Sequence, residues 1–294
     1  MLRVDRRLGR SIARVALTLM PAAKLDGVTI ERITDAGPGV RVYRPSVVRS
    51  PAALFWVHGG GFVIGRAVQN DRFCGEAAAA LGIVVVSVEY RKAPEHRFPA
   101  AVDDSEAGWD WMQRESGALG VDPARVAVGG ESAGGGLAAC LVQRLHDRVG
   151  TQPAAQWLFC PMLDDRTAAR RELDAIDNLV WNNRANRFGW RSYLGVEPGA
   201  ATLPAHAAAA RRDDLAGLPP AWIGVGDIDL FCEEDLAYAD RLRAAGIRVT
   251  TDVVPGAPHG FEVWAPDSAL ARAHLALARD WLRDTLDGAA PSIR

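Results

Sequence analysis

A serine in a glycine-dense turn is the residue of this chain best suited to nucleophilic chemistry. Ser132 is the centre of residues 130–134, whose sequence GESAG is a G-x-S-x-G pattern. The flanking glycines let the backbone turn so sharply that the serine hydroxyl projects from it. The run before it, Arg125–Val128, is apolar and β-branched like a buried strand, and residues 133–148 carry helix formers at helical spacing. This strand-turn-helix context makes Ser132 a candidate nucleophile.

A second glycine-rich loop could hold the negative charge that attack by serine creates. Serine is a weak nucleophile at neutral pH, so it needs a base and an anion site. The loop His58–Phe62, HGGGF, directly follows the apolar run Leu54–Val57. Three residues without side chains let backbone N–H groups approach an oxyanion, and the N–H of Ala133 adds another donor.

His259 is the best candidate for the base among the six histidines. It lies in the turn-rich loop Pro255–Phe261, immediately after the predicted strand Val249–Val254, where a catalytic loop is expected. Apart from His58, the other histidines are less suitable. His146 and His274 fall in helical patterns, His96 lies in a loop before a helix, and His206 lies in the irregular region described below.

The third member of a serine triad is a carboxylate that holds the histidine in its useful tautomer and stabilises the imidazolium. It is expected after the preceding strand, which ends at residues 224–226. Both Asp227 and Asp229 qualify by position.

These residues need a scaffold that places several strand ends together, and the chain alternates strand and helix patterns from residue 52 onward. This alternation is typical of a doubly wound, mostly parallel sheet. Before it, Gly27–Ala36 and Val40–Pro45 predict an antiparallel pair at the sheet edge. The later predicted strands are Ala53–Val57, Ile83–Val88, Val126–Val128, Trp157–Cys160, Ala221–Val225 and Val249–Val254, and the predicted helices cover 71–81, 100–115, 133–148, 233–245 and 267–286.

Two regions outside the alternation predict a helical cap, so we expect one domain, residues 1–294, capped by about 1–24 and 173–210. The first is an amphipathic helix whose apolar stripe, Leu8, Ile12, Val15 and Leu19, must cover another surface. The second holds aromatic residues and no strand signal, and should lie over the ligand crevice at the strand ends. The expected pocket residues are Phe62, Leu163, Trp181, Phe188 and Trp264.

Several motifs together resemble the hormone-sensitive-lipase-like branch of the α/β-hydrolases, a group of bacterial esterases. They lie between residues 50 and 262: HGGGF at 58–62, EYRKAPE at 89–95, FPAAVD at 98–103, GESAGG at 130–135, DLF at 229–231 and PHGF at 258–261. Glu131 departs from the aspartate commoner in the family, and we interpret it as an anion contact at a helix start.

The resemblance implies an α/β-hydrolase fold with an α-helical cap and a complete set of roles. Ser132 would be the nucleophile and His259 the base. Asp229 is favoured over Asp227 as the acid. Oxyanion donors would come from Gly60, Gly61 and Ala133, and His58 would brace the glycine loop.

Composition argues against several other classes of function. Net charge is −2 without long runs of one sign, so neither nucleic acid nor an anionic membrane surface is implied as a partner. The four cysteines form no CxxC pair, so we expect reduced, mostly buried thiols and no structural metal. Arg14 interrupts the apolar stretch near the N-terminus, which favours an amphipathic helix over a signal peptide. We therefore expect a cytoplasmic location.

The sequence therefore predicts a carboxylic-ester hydrolase with an acyl-enzyme intermediate, acting on small to medium uncharged acyl esters. Neither a metal nor an organic cofactor is expected, and resemblance alone indicates a homodimer. An amidase or lactonase would use the same triad. A non-catalytic receptor on this fold is a further alternative, although such receptors resemble the family while lacking the catalytic histidine.

Overall fold

The computed structural model describes residues 4–35 and 37–288. Its strands are β1 Val28–Ile33, β2 Val40–Pro45, β3 Ala53–Val57, β4 Val84–Val88, β5 Val126–Glu131, β6 Ala155–Phe159, β7 Ala221–Gly226 and β8 Val249–Val254. Its α-helices are α1 Arg7–Thr18, α2 Asp71–Leu81, α3 Ala100–Arg114, α4 Ser116–Leu119, α5 Ser132–His146, α6 Asp165–Ala169, α7 Asn183–Leu194, α8 Cys232–Ala244, α9 Phe261–Trp264 and α10 Ala269–Leu286. Among the described residues, no helix combines the length and apolar character needed to cross a membrane.

The strands form one eight-stranded sheet in the order β1-β2-β4-β3-β5-β6-β7-β8. The β1/β2 and β2/β4 pairs are antiparallel, and all other pairs are parallel. The predicted doubly wound sheet with an antiparallel edge is therefore confirmed. Ala36, the last residue of one predicted edge strand, lies outside the described residues.

The central strands are apolar throughout because helices cover both faces of the sheet. Every residue of β3 is fully buried, as expected for a parallel strand between two helical layers. On one face Phe55 meets Trp109 edge to face at 6.1 Å between ring centroids. On the other, Trp56 packs on Phe73 at 4.5 Å. This rigid core fixes the strand ends, where the candidate residues lie.

The prediction that the apolar stripe of α1 covers another surface is wrong. Leu8, Ile12, Val15 and Leu19 are 73%, 52%, 57% and 76% exposed. The opposite face is bound instead, because Arg14 donates hydrogen bonds to the carbonyls of Val63 (2.8 Å) and Ala93 (2.7 Å) and to the Glu95 carboxylate. Polar contacts of arginine therefore orient α1. Residues 1–3 of the predicted N-terminal helix lie outside the described residues.

The irregular region 173–210 is less helical than predicted. Its α-helical part is α7, and residues 171–175 and 209–211 form short 3₁₀ turns. The alanine-rich end of the region is not a helix over the crevice, because residues 207–210 are buried in the core. Gln143 on α5 donates a hydrogen bond to the Ala209 carbonyl there. The regions 4–24 and 173–210 do meet, since the Arg10 guanidinium lies 5.1 Å from the Phe188 ring centre.

Candidate active site

Ser132 lies at the junction of β5 and α5 in a conformation that only close packing sustains. Its φ is +52°, a left-handed value that costs a non-glycine residue about 1–3 kcal/mol. A side chain at Gly134 would come within 2.1 Å of the Val57 carbonyl oxygen and 2.3 Å of that of His58. A side chain at Gly130 would come within 2.3 Å of the Gly134 carbonyl oxygen. The glycines of the motif thus allow the helix start to press against the ends of β3 and β5.

A continuous hydrogen-bond chain runs from this serine to Asp229. Ser132 Oγ lies 2.9 Å from His259 Nε2, and His259 Nδ1 lies 2.8 Å from Asp229 Oδ2. The side chains of His259 and Asp229 are 7% and 0% exposed. Because an ionised carboxylate only accepts hydrogen bonds, Nδ1 carries the imidazole proton and Nε2 presents a lone pair to the serine hydroxyl. This is the tautomer that general-base chemistry requires.

The structure separates the two aspartates that sequence position left open. Asp229 also accepts a hydrogen bond from the Phe231 N–H at 3.0 Å, which fixes its carboxylate. Asp227 is exposed, and its Oδ1 accepts from the Gly256 N–H at 2.7 Å. Asp227 therefore closes the loop that carries His259, whereas Asp229 contacts the imidazole.

Burial and neighbouring carboxylates act on His259 in opposite directions. Burial lowers the pKa of His259, but the Asp229 charge and hydrogen bond, with further contributions from Glu262 and Glu131, more than offset it, so that the pKa is raised. The site therefore stabilises the imidazolium, chiefly through the Asp229 carboxylate that lies 2.8 Å from Nδ1.

The glycine loop after β3 borders the same cavity as Ser132. Gly60 and Gly61 have φ of +121° and +57°, and a side chain at Gly60 would lie 2.3 Å from the Ile64 carbonyl oxygen. Within the described residues, neither N–H donates to a protein acceptor. Ala133 follows the serine in the first turn of α5, where N–H groups lack intrahelical partners. These are the three predicted oxyanion donors.

His58 is held as a neutral brace under this loop. Burial, more than any other effect, lowers the pKa of His58 to about 4. Its Nδ1–H donates to the Gly59 carbonyl at 2.8 Å, its ring stacks on Tyr90 at 4.2 Å, and the Tyr90 hydroxyl donates to the His58 carbonyl at 3.0 Å. An imidazole that is so enclosed and neutral near pH 7 supports the loop.

Glu131 is not the helix-start anion contact that the sequence indicated. It makes no side-chain cap on α5. Its Oε1 instead accepts from Asn70 at 3.1 Å and Gln69 at 3.2 Å. A side chain at Gly59 would lie 3.0 Å from the Glu131 carboxylate, so Glu131 packs directly beneath the glycine loop.

A cavity of about 440 Å³ opens beside Ser132 and His259. Of the predicted pocket residues, Trp181 and the half-exposed Trp264 line it. Phe62 stacks instead on Tyr193 at 4.2 Å. Leu163 is buried in the core, and the half-buried Phe188 packs against that core. These three side chains therefore do not lie where they were expected. The other lining residues are Val4, Gly60, Gly61, Ile64, Glu131, Cys160, Val180, Ala185, Gly260 and Val263.

Sequence reasoning missed two buried ionisable residues near the base. Cys160 follows β6 and lines the cavity, and its position at a strand end was an available signal. Glu262 follows the PHGF motif and is 3% exposed, with Oε1 unpaired. Burial, followed by the charge of Glu131, raises the pKa of Glu262 to about 8. Its burial could not be read from a charged residue that directly follows a predicted loop.

Comparison with known proteins agrees with this geometry. A family model for the alpha/beta hydrolase fold matches residues 54–263. Esterase LipI of Mycobacterium tuberculosis is 36% identical over 236 residues, covering 78% of this chain and 73% of LipI. A bacterial heroin esterase structure superposes with a TM-score of 0.86 at 36% identity, covering 95% of this chain and 91% of its own. The structure of an esterase of the bacterial hormone-sensitive lipase family superposes with a TM-score of 0.80 at 29% identity, covering 95% of this chain and 91% of its own.

The chain therefore belongs to the α/β-hydrolase fold family. Within it, the chain is a carboxylic-ester hydrolase of the hormone-sensitive-lipase-like branch, as its esterase relatives and structural neighbours show.

Proposed function

We propose that Ser132, His259 and Asp229 are the catalytic triad of this esterase, which forms an acyl-enzyme from small to medium uncharged acyl esters. The observation that carries the proposal is the unbroken hydrogen-bond chain through these three side chains at the wall of a cavity. Proximity of this kind is required before a base can activate a serine.

In the first half of the reaction, Ser132 Oγ attacks the ester carbonyl carbon while His259 Nε2 takes the hydroxyl proton. The carbonyl oxygen becomes an oxyanion, which the N–H groups of Gly60, Gly61 and Ala133 stabilise. Asp229 holds the resulting imidazolium. His259 then donates its Nε2 proton to the leaving alkoxide, and the acyl group remains on Ser132.

In the second half, water replaces the alcohol. His259 removes a proton from the water as it attacks the acyl carbonyl, and the same N–H groups hold the second oxyanion. Collapse of this intermediate releases the acid and returns the proton to Ser132 Oγ.

The cavity lining supports this substrate class. Most of the lining is apolar, and no Lys or Arg borders the cavity among the described residues. The one carboxyl group in the described lining, that of Glu131, disfavours an anionic substrate. Trp181 closes the cavity over Gly61, since a side chain at Gly61 would lie 2.1 Å from Trp181 Cη2. We propose that the described part of residues 1–24, of which Val4 lines the cavity, and residues 173–210 form the cap that shapes this pocket.

The test is hydrolysis of a series of aryl esters with acyl chains of increasing length. Wild type should turn over the short and medium members, and Ser132→Ala should lose on the order of 10⁶-fold in kcat, as loss of a nucleophile does in other serine hydrolases. A fluorophosphonate should add to wild type at Ser132, as located by peptide mass. Aryl amides and lactones belong in the same panel, and faster turnover of either would replace the ester assignment.

Ser87→Ala is the matched control, because Ser87 is fully buried on β4 and its Oγ has no hydrogen-bond partner. It should keep wild-type turnover. Equal turnover by wild type and Ser132→Ala would reject the nucleophile. No turnover of any ester by folded wild type would favour a receptor.

A further inference from the structure

A thiol lies beside the base and its carboxylate. One ligand atom each from Cys160, Asp229 and His259 lie within 4.8 Å of one another, and all three residues are buried. Zinc binds thiolate sulfur at about 2.3 Å and imidazole nitrogen or carboxylate oxygen at about 2.0–2.2 Å. Small side-chain rotations therefore bring the three atoms within reach of one ion.

The position of Cys160 is fixed by its backbone. Its N–H donates to the Gly224 carbonyl at 2.7 Å, and its φ is +35°. Cys160 and His259 both border the cavity, so an ion can reach them from the substrate side, and a water molecule can complete its coordination from there.

The ionisable groups that interact most strongly with Cys160 are carboxyl groups. Besides Asp229, three carboxyl groups interact electrostatically with Cys160: those of Glu131, Glu262 and Asp235. Asp235 is fully buried, and neither of its carboxyl oxygens has a hydrogen-bond partner. A divalent ion bound by one thiolate and one carboxylate would be neutralised by its own ligands, so the site needs no further charged group.

From this arrangement we propose that Cys160, Asp229 and His259 form an inhibitory site for a thiophilic divalent cation such as Zn²⁺. The ion is not a cofactor, since binding removes the base. Coordination at His259 Nδ1 moves the imidazole proton to Nε2, which then has no lone pair for the Ser132 hydroxyl. Coordination at Nε2 occupies that lone pair directly. In both cases the Cys160 thiol releases its proton to water.

The inhibition experiment rests on the proposed function, because it measures ester turnover in metal-free buffer with increasing zinc chloride. Each variant is normalised to its own metal-free rate. Loss of a supporting contact to a bound metal costs about 10–100-fold in affinity, so removal of the direct ligand in Cys160→Ala should weaken inhibition by at least about tenfold. Cys140→Ala is the control, because Cys140 is equally buried but lies within α5. EDTA should restore wild-type turnover.

A second measurement does not depend on turnover. Cadmium titrated into Ser132→Ala should produce the ultraviolet cadmium–thiolate absorption at one ion per chain, and Ser132→Ala/Cys160→Ala should lack it. If the esterase assignment failed, this binding signal would still decide the site. If Cys160→Ala does not fold, Cys160→Ser replaces it in both measurements.

Two results would overturn the proposal. One is equal zinc inhibition of wild type and the Cys160 variant, which would place the inhibitory ion elsewhere. The other is a cadmium–thiolate signal that persists without Cys160, or that is absent with it.

Discussion

The serine turn and the cap differ in what a change of side chain would meet. Around the serine, added atoms collide with main chain: a Cβ at Gly134 meets the carbonyls of Val57 and His58, and a Cβ at Gly136 would lie 2.0 Å from the Met162 carbonyl oxygen. Around the cap, Gly61 faces the edge of the Trp181 side chain, and α1 turns its apolar stripe to solvent. Contacts between backbone atoms therefore position the serine, whereas contacts with side chains shape the pocket.

The largest effect is expected where main chain meets main chain. Gly134→Ala would force apart α5 and the end of β3, and because the obstructing atoms belong to the backbone, no rotamer change relieves the contact. We expect loss of turnover below detection together with a marked drop in Tm. Thermal unfolding and ester hydrolysis check this.

Gly117→Ala is the control for that substitution, since a side chain there meets no atom within 4 Å and Gly117 lies in α4. It should preserve turnover. A fully active Gly134→Ala would remove the distinction between the two regions.

The next largest effect is expected at the carboxylate that orients the base. Asp229→Asn should reduce kcat by about 10⁴-fold, because an amide can stabilise the wrong imidazole tautomer and bears no charge. Asp227→Asn retains an oxygen acceptor for the Gly256 N–H and should change kcat only a few-fold. Steady-state kinetics of both variants decide between them. A larger loss in Asp227→Asn would make Asp227 the acid.

A smaller and reversible effect is expected in the pocket. Trp181→Ala should shift the preferred acyl chain to greater length, because it removes the ring that closes the cavity over Gly61, and should change kcat for the shortest ester only a few-fold. Gly61→Ala should lower kcat/KM for every ester, and adding Trp181→Ala should restore part of it. The acyl-length panel measures both. Absence of any rescue would mean that backbone geometry, not the indole, governs Gly61.

The smallest effect is expected on the stripe of α1. Ile12→Gln should change the free energy of unfolding by no more than about 0.5 kcal/mol, as substitutions at exposed positions usually do. Ala13→Gln, on the same helix but buried, should destabilise the protein by more. Denaturant unfolding compares the two. A large loss in Ile12→Gln would show that the stripe is covered in solution.

The sequence predicted the sheet and the chemistry because both leave marks on residue type. Apolar runs identified the central strands, and the fold and the family are confirmed. The HGGGF and GESAGG glycines predicted loops whose backbone geometry excludes side chains. Position alone left Asp227 and Asp229 equivalent, since both follow β7. The resemblance of the DLF motif favoured Asp229, and in the structure the direction of each side chain separates the two.

The cap was less predictable because its contacts are between side chains of distant segments. An amphipathic pattern shows that α1 has two faces but not which one packs against the rest of the protein. Here the hydrogen bonds of Arg14 attach the face opposite the apolar stripe. Aromatic residues near the crevice gave no signal to distinguish Trp181, which lines the cavity, from Phe188, which lies under Arg10.

The way α1 is attached has a thermodynamic consequence. The helix buries Ala13 and Arg10 but leaves Leu8, Ile12 and Val15 largely in water, so its detachment exposes little new apolar surface. Heat capacity change scales with that surface. The free energy of detaching α1 should therefore vary almost linearly with temperature. The free energy of unfolding of the whole domain, by contrast, should be strongly curved. Because the Arg14–Glu95 ion pair is partly exposed, added salt should screen it and weaken the attachment of α1. We expect this effect of salt on the attachment to be larger than the effect of heat.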